Sequence, residues 1–169
     1  MSQKNMRFIG VSTASSSIMK IFPSWSKTLN LNAVITGIDI PLNASKGDYV
    51  SAITQMVNDK NCHGALVTTH KLALYQHAKS LFTKFDDFAN ICGEISCVKI
   101  NNNIVSGFAK DPISAGLAIN DFLPNDFFNS QNEVILIGDG GAATAIAWYL
   151  SGISKPPEIT NIRVDKLED

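Results

Sequence analysis

Apolar and polar positions follow each other along this chain in two rhythms, and the switches between them mark its elements. Residues 7–11 (Arg-Phe-Ile-Gly-Val) predict a first strand, ended by the hydroxyl-rich turn Ser12-Thr-Ala-Ser-Ser-Ser17. An apolar segment of helical character covers residues 18–31, with Met19, Phe22, Trp25 and Leu29 as core or interface positions. Pro23 kinks that segment or starts its second half, because proline lacks the N–H and clashes with the previous turn. Residues 32–39 read as strand two, closed by Pro41. Tyr49, Ile53, Met56 and Val57 recur at helical spacing and predict an amphipathic helix over 47–59. Residues 63–68 form strand three, followed by a helix carrying Leu72, Tyr75, Ala78 and Leu81. This β-α-β-α-β-α alternation predicts an α/β fold with a mostly parallel sheet covered by helices.

The rhythm then changes. A short helix over 85–92 precedes a strand over 95–100, and Asn101-Asn102-Asn103 makes a turn tolerant of positive φ. Residues 104–108 return as the hairpin partner. Asp111-Pro112 opens a helix, with Asp as N-cap and Pro at the first helical position, and Ile113, Leu117, Ile119 and Phe122 line it. Residues 125–132 are polar around Phe127-Phe128 and read as a linker. Beyond it, Val134 to Ile137 predict a short strand buried on both faces, since no polar residue alternates with them. A glycine-rich turn, an alanine-rich helix over 141–151, the break at Pro156-Pro157 and a strand over 158–162 follow. The expected organisation is a first domain over 1–124, the linker over 125–132, and the start of a second domain over 133–169. Two strands and one helix cannot cover both faces of a parallel sheet, so the second domain is expected to be cut short. Its open edge and faces predict self-association, with a homodimer left open.

Composition narrows the function. A net charge of −1 without a basic cluster offers no electrostatic footprint for nucleic acid or an anionic membrane. No apolar run approaches the roughly 18 residues of a membrane span, and no signal-peptide core follows the N-terminus. Cys62, Cys92 and Cys97 are odd in number and form no C-x-x-C pair, which fits reduced thiols in a cytoplasm. His70 and His77 share a helix face, but seven residues rise about 10 Å, too far for one metal ion. No metal site is expected.

The chemistry concentrates in Gly138-Asp-Gly140-Gly141-Ala142-Ala143. Its Gly138-x-Gly140-x-x-Ala143 spacing, between a strand and a helix, is that of a dinucleotide fingerprint. The first glycine permits a tight turn, and the second lets backbone N–H groups approach a pyrophosphate. The small third residue lets helix and strand pack closely, with the positive helix end facing the anion. At the end of the following strand Arg163 stands where an acidic residue would hold an NAD ribose. That favours NADP over NAD.

Taken together, these features resemble the shikimate dehydrogenase family. The family's G-x-N-V-T-x-P-x-K segment is similar to Gly64-Ala-Leu-Val67-Thr68-Thr69-His70-Lys71, with Leu66 in place of Asn and without the Pro. Its G-A-V-N-T is similar to Gly93-Glu94-Ile95-Ser96-Cys97, its G-x-N-T-D to Gly107-Phe-Ala109-Lys110-Asp111, and its S-x-S pair to Ser15-x-Ser17. The Gly138 to Ala143 run matches the family's GxGGA loop, so the resemblance spans essentially the whole chain and ends inside the family's second domain.

The resemblance implies an N-terminal substrate domain followed by the start of a Rossmann-type dinucleotide-binding domain. It implies NADP-dependent reversible oxidation of a ring hydroxyl in shikimate or a related cyclic hydroxy acid such as quinate. Lys71 and Asp111 would be the catalytic pair. Ser15 and Ser17 would bind the substrate carboxylate, Thr68 and Ser96 would supply further substrate contacts, and Gly138, Gly140, Gly141, Ala142 and Ala143 would cradle the pyrophosphate. A lysine is a poor base at neutral pH unless desolvated, and a nearby aspartate favours its cation. Lys71 as proton acceptor and as a cation stabilising the alkoxide both stay open. Read by residue type alone, Asp111 is also explained as a helix cap and Lys71 as a solvated charge. Ser96 reaches less far than the family's amide, and Glu94 would repel an anionic substrate if it faced the pocket. Two rivals follow: a non-catalytic module that binds a small acid or associates through exposed faces, and the same fold acting on a different hydroxylated substrate.

Overall fold

A computed structural model describes residues 2–124, 126–129 and 133–162. The chain forms two compact units, Met1–Phe108 and Ala109–Asp169.

The first unit is built on β1 (Lys4–Gly10), α1 (Ile18–Thr28), β2 (Ala33–Asp39), α2 (Lys46–Asn58), β3 (Cys62–Val67) and α3 (Lys71–Ala78). After them come β4 (Lys84–Phe85), α4 (Asp87–Cys92), β5 (Cys97–Asn101) and β6 (Ile104–Phe108). The strands make one sheet in the order β2-β1-β3-β5-β6-β4. β1 lies parallel to β2 and β3, and β4 parallel to β6, whereas β5 runs antiparallel to β3 and β6. The expected parallel α/β start and the hairpin are both present, with Asn102 and Asn103 at positive φ in its turn. The core gathers Ile9, Ile53, Met56, Val67, Leu74 and Ile95, so the helical stripe read from α2 faces the sheet.

Several local expectations shift. α1 runs through Pro23 as one helix and ends at Thr28; on its outer side Trp25 and Leu29 are exposed. Phe85 belongs to the short strand β4, not to a helix. The Asp86 side chain accepts the Ala89 N–H at 2.9 Å as the N-cap, so α4 starts at Asp87, two residues later than expected. Residues 95 and 96 precede β5 but are already tied into the sheet: Ser96 donates to the Phe108 carbonyl and its own carbonyl takes the Val67 N–H.

The second unit holds α5 (Asp111–Phe122), β7 (Glu133–Ile137), α6 (Gly141–Ser151) and β8 (Glu158–Ile162). The helix over 111–122, placed with the first domain from its position in the chain, clusters here with α6. Gly116 explains the fit: a Cβ there would run into the Tyr149 ring, and the Tyr149 hydroxyl donates to the Asn120 side chain at 2.8 Å. Asp111 is the first residue of α5 rather than its cap. Lys110 takes the cap position, and the carboxylate sits in the first turn, where the helix dipole still favours it. β7 and β8 pair in parallel as a β-α-β unit around α6. β7 is not buried on both faces: Ile137 is 74% exposed, because a two-stranded sheet with one crossover helix leaves its apolar positions uncovered. Of the linker, residues 126–129 are described and include a single 3-10 turn, Phe127–Asn129.

Candidate functional site

In the first unit the residues singled out from the sequence gather at the C-terminal ends of the parallel strands, where open α/β sheets place their ligands. The turn after β1 is fixed to the end of β2, since the Thr13 N–H donates to Asp39 at 2.8 Å. The Thr13 hydroxyl and N–H together hold the Asp39 carboxyl below the usual range. A Cβ on Gly37 would collide with the Thr13 side chain, and one on Gly10 would meet the Thr68 methyl at 2.9 Å. The glycines of β1 and β2 thus let the turn and the Thr68 segment close over the sheet.

Ser15 and Ser17 lie exposed on this turn. Ser15 donates to the Ser12 carbonyl at 3.0 Å, and Ser17, at the N-cap position of α1, makes no side-chain capping bond. Neither hydroxyl therefore caps α1. Thr68 is exposed just beyond β3, with its N–H held by the Ile9 carbonyl at 3.0 Å. Lys71 opens α3, half-buried, and its carbonyl accepts the Ile95 N–H at 3.1 Å. Ser96 is buried, its hydroxyl 3.3 Å from the Phe108 carbonyl. Glu94 is 0% exposed, so its carboxylate does not form part of a water-accessible wall.

The residue that sequence reasoning undervalued is His70. It is buried at the N-cap of α3 and bonds Tyr49 and Ile40, partners 21 and 30 residues away, which no local spacing announces.

In the second unit a cleft of about 280 Å³ is lined by Asp111, Ser114 and Ala115 of α5 and by Ala142, Ala145 and Ile146 of α6. A half-buried carboxylate and the first turn of the fingerprint helix therefore share one opening. The fingerprint loop has the features a pyrophosphate requires. Gly138 adopts φ +115°, a conformation that favours glycine, and its N–H is held by the Ile162 carbonyl at 2.8 Å. A Cβ at Gly138 or Gly140 would meet nothing within 4 Å, so the space over the loop is open. α6 has no side-chain cap and no acidic residue in its first turn. Gly141, Ala142 and Ala143 thus present a helix N-terminus to that space, and the residues fit a dinucleotide phosphate. Arg163 lies outside the described residues.

Among the described residues no group of three or more His, Cys, Asp or Glu could hold a metal ion. None of the three cysteines forms a disulfide. No described helix is long and apolar enough to cross a membrane.

No protein-family model matches the chain. A shikimate dehydrogenase (NADP(+)) of Methanococcus vannielii is 29% identical over 134 residues, covering 79% of this chain and 42% of that protein. Among solved structures, shikimate dehydrogenase from Aquifex aeolicus superimposes with a TM-score of 0.78 at 19% identity, over 94% of this chain and 55% of that one. The Thermus thermophilus enzyme in complex with NADP(H) and shikimate gives 0.71 at 19% identity, over 94% and 56%. The chain spans about half the length of these relatives. It has the shikimate dehydrogenase fold, and in sequence it resembles that family over most of its own length.

Proposed function

We propose that this chain is the substrate domain and the opening of the cofactor domain of an NADP-preferring oxidoreductase of shikimate dehydrogenase type. The division by role is 1–124 for substrate, 125–132 as linker and 133–169 for cofactor. The reaction is reversible oxidation of a ring hydroxyl in shikimate or a related cyclic hydroxy acid. The observation that carries this reading is the cleft in which Asp111 and the first turn of the fingerprint helix meet. A carboxylate that can accept or orient a proton, near a dinucleotide loop, suits the oxidation of an alcohol, which loses a hydride and a proton.

When bound, NADP supplies the hydride acceptor, held by the Gly138 to Ala143 loop, with Arg163 pairing the 2′-phosphate. The chain's own groups handle the oxygen. Lys71 either accepts the proton of the reacting hydroxyl or, as a cation, stabilises the alkoxide it leaves, and Asp111 is the second member of that pair. Ser15 and Ser17, whose hydroxyls are not used to cap α1, bind the carboxylate. Thr68 and Ser96 contact the remaining substrate hydroxyls. The two thiols Cys62 and Cys92, buried and outside any disulfide, accord with a cytoplasmic setting.

A second reading, a module that binds a small acid or associates without turnover, draws on the exposure of Ile135 and Ile137 on β7. Calorimetric titration of shikimate into the full chain, beside Lys71→Ala with circular dichroism as the folding control, tests the substrate assignment and the role of Lys71. Binding that weakens at least tenfold in Lys71→Ala, about 1.4 kcal/mol, is the expected result. A well-folded chain that binds no shikimate overturns the substrate assignment. Binding indifferent to Lys71→Ala overturns the role of that residue.

A further inference from the structure

The start of α3 is secured by a buried hydrogen-bonded chain that the proposed reaction does not use. His70, 3% exposed, occupies the N-cap position immediately before Lys71. Its Nε2 lies 2.7 Å from the Ile40 carbonyl and its Nδ1 3.1 Å from the Tyr49 hydroxyl. A carbonyl oxygen only accepts, so Nε2 carries a proton and donates it to Ile40. In the neutral ring Nδ1 is then an acceptor, and the Tyr49 hydroxyl is its donor. Tyr49 is itself buried; its ring meets the His70 ring edge-on at 5.6 Å and stacks on His77 at 5.5 Å. Burial, with Asp48 behind it, pushes the Tyr49 phenol up, which keeps the hydroxyl protonated and able to donate.

Three elements are joined through this one imidazole. Ile40 brings the segment that follows β2, Tyr49 brings α2, and His70 caps α3, where its carbonyl takes the Leu74 N–H at 2.8 Å. On the far side, the Lys71 carbonyl is held by the Ile95 N–H. The Lys71 backbone is thus tied both before and after. A lysine side chain has several rotatable bonds, so the position of its Cα sets the volume its ammonium can search, and errors at the Cα are carried outward.

We propose that Tyr49 and His70 are positioning residues that fix the start of α3 so that Lys71 addresses the substrate. This rests on the reading of Lys71 as a substrate-site residue. A histidine that merely satisfied the core would hold the fold without steering Lys71, and the test separates the two. Neither Tyr49 nor His70 acts on the reacting atoms.

The experiment uses the full chain with its lysines reductively methylated with ¹³C-formaldehyde, the Lys71 signal being assigned through Lys71→Arg. Tyr49→Phe removes the donor to Nδ1 and keeps the ring stacked on His77. It should shift the Lys71 signal while leaving the other lysines in place, and weaken shikimate binding about tenfold, the order of one lost constraint. His77→Ala, which removes the stacked ring but no hydrogen bond to His70, should leave the Lys71 signal where it is. An unchanged Lys71 signal in Tyr49→Phe overturns the proposal, as does an equal shift in His77→Ala. If Tyr49→Phe does not fold by circular dichroism, His70→Gln, which keeps a donor for the Ile40 carbonyl, takes its place under the same criteria. The two ideas fail separately. Absence of shikimate binding in the wild type refutes the functional reading and leaves the positioning role to the methyl signal; undiminished binding in the variant refutes the positioning role alone.

Discussion

Gly64→Ala is the perturbation whose cost the structure specifies most directly. Gly64 sits in β3 at φ +154°, outside the range that L side chains readily adopt, and pairs with Lys99 across the antiparallel junction with β5. A Cβ at this position would run into the Val98 carbonyl oxygen, a backbone atom that cannot swing aside as a side-chain end could. The backbone conformation costs about 1–3 kcal/mol in a non-glycine residue. Forcing a methyl into a packed sheet adds about 1–3 kcal/mol. Against these, alanine lowers the entropy of the unfolded chain by about 0.4–1 kcal/mol. The net expectation is a loss of roughly 3 kcal/mol. β3 leads directly to Thr68 and Lys71, so any shift that relieves the collision is felt at the site. The assay is urea unfolding followed by the fluorescence of Trp25 in a Trp148→Phe background, which reads the first unit alone. With a slope of about 1–3 kcal/mol per molar urea, the midpoint should fall by at least about 1 M, and shikimate affinity should fall at urea concentrations where the variant is still folded. A midpoint within about 0.2 M of the parent, at an unchanged slope, would refute the claim that Gly64 is present for the β3–β5 contact.

Two further predictions test other parts of the molecule. Asp59 accepts from Asn5 at 3.0 Å and from the Asn61 N–H at 2.9 Å, and pairs with Arg7 at 2.9 Å, and these contacts hold its carboxyl below the usual carboxylate range. A depressed folded value stabilises above the unfolded value and is lost as pH falls through the folded one. Asp59→Asn should therefore be less stable than wild type by roughly 1 kcal/mol near neutrality, after screening of this partly exposed pair. The gap should narrow as pH falls through the carboxylate range, and thermal melts of both proteins between pH 7 and pH 3 that keep a constant gap would contradict the assignment. Gly140→Val places its side chain in open space, so the melting temperature should hold while binding of NADPH, followed by its fluorescence, drops at least about tenfold through blocked approach to the amides. Unchanged NADPH binding in that variant would remove the loop from the cofactor site.

Much of this protein was legible along the chain because the physics behind it is local. The period-two and period-3.6 patterns follow from side chains alternating across a strand and recurring around a helix, and they located the elements of the first unit, except the short β4, to within a few residues. The asparagine turn was legible because few other residues accept positive φ, and the fingerprint loop because glycine, alanine and a helix start must occur together there. The resemblance to shikimate dehydrogenases was carried by similar short runs. What the tertiary structure alone decided depends on residues distant in sequence. The sheet order, with the antiparallel β5 between β3 and β6, is a matter of long-range pairing. The exposure of β7 could not be read from its apolar run, since burial depends on which elements pack over a strand and not on the strand itself. The motif glycine Gly64 owes its place to the Val98 carbonyl, and His70 owes its role to Tyr49 and Ile40. Sequence determines what each segment can form, because that is settled within a few residues; which side chains meet is decided only when the sheet closes and brings separate segments to the same point.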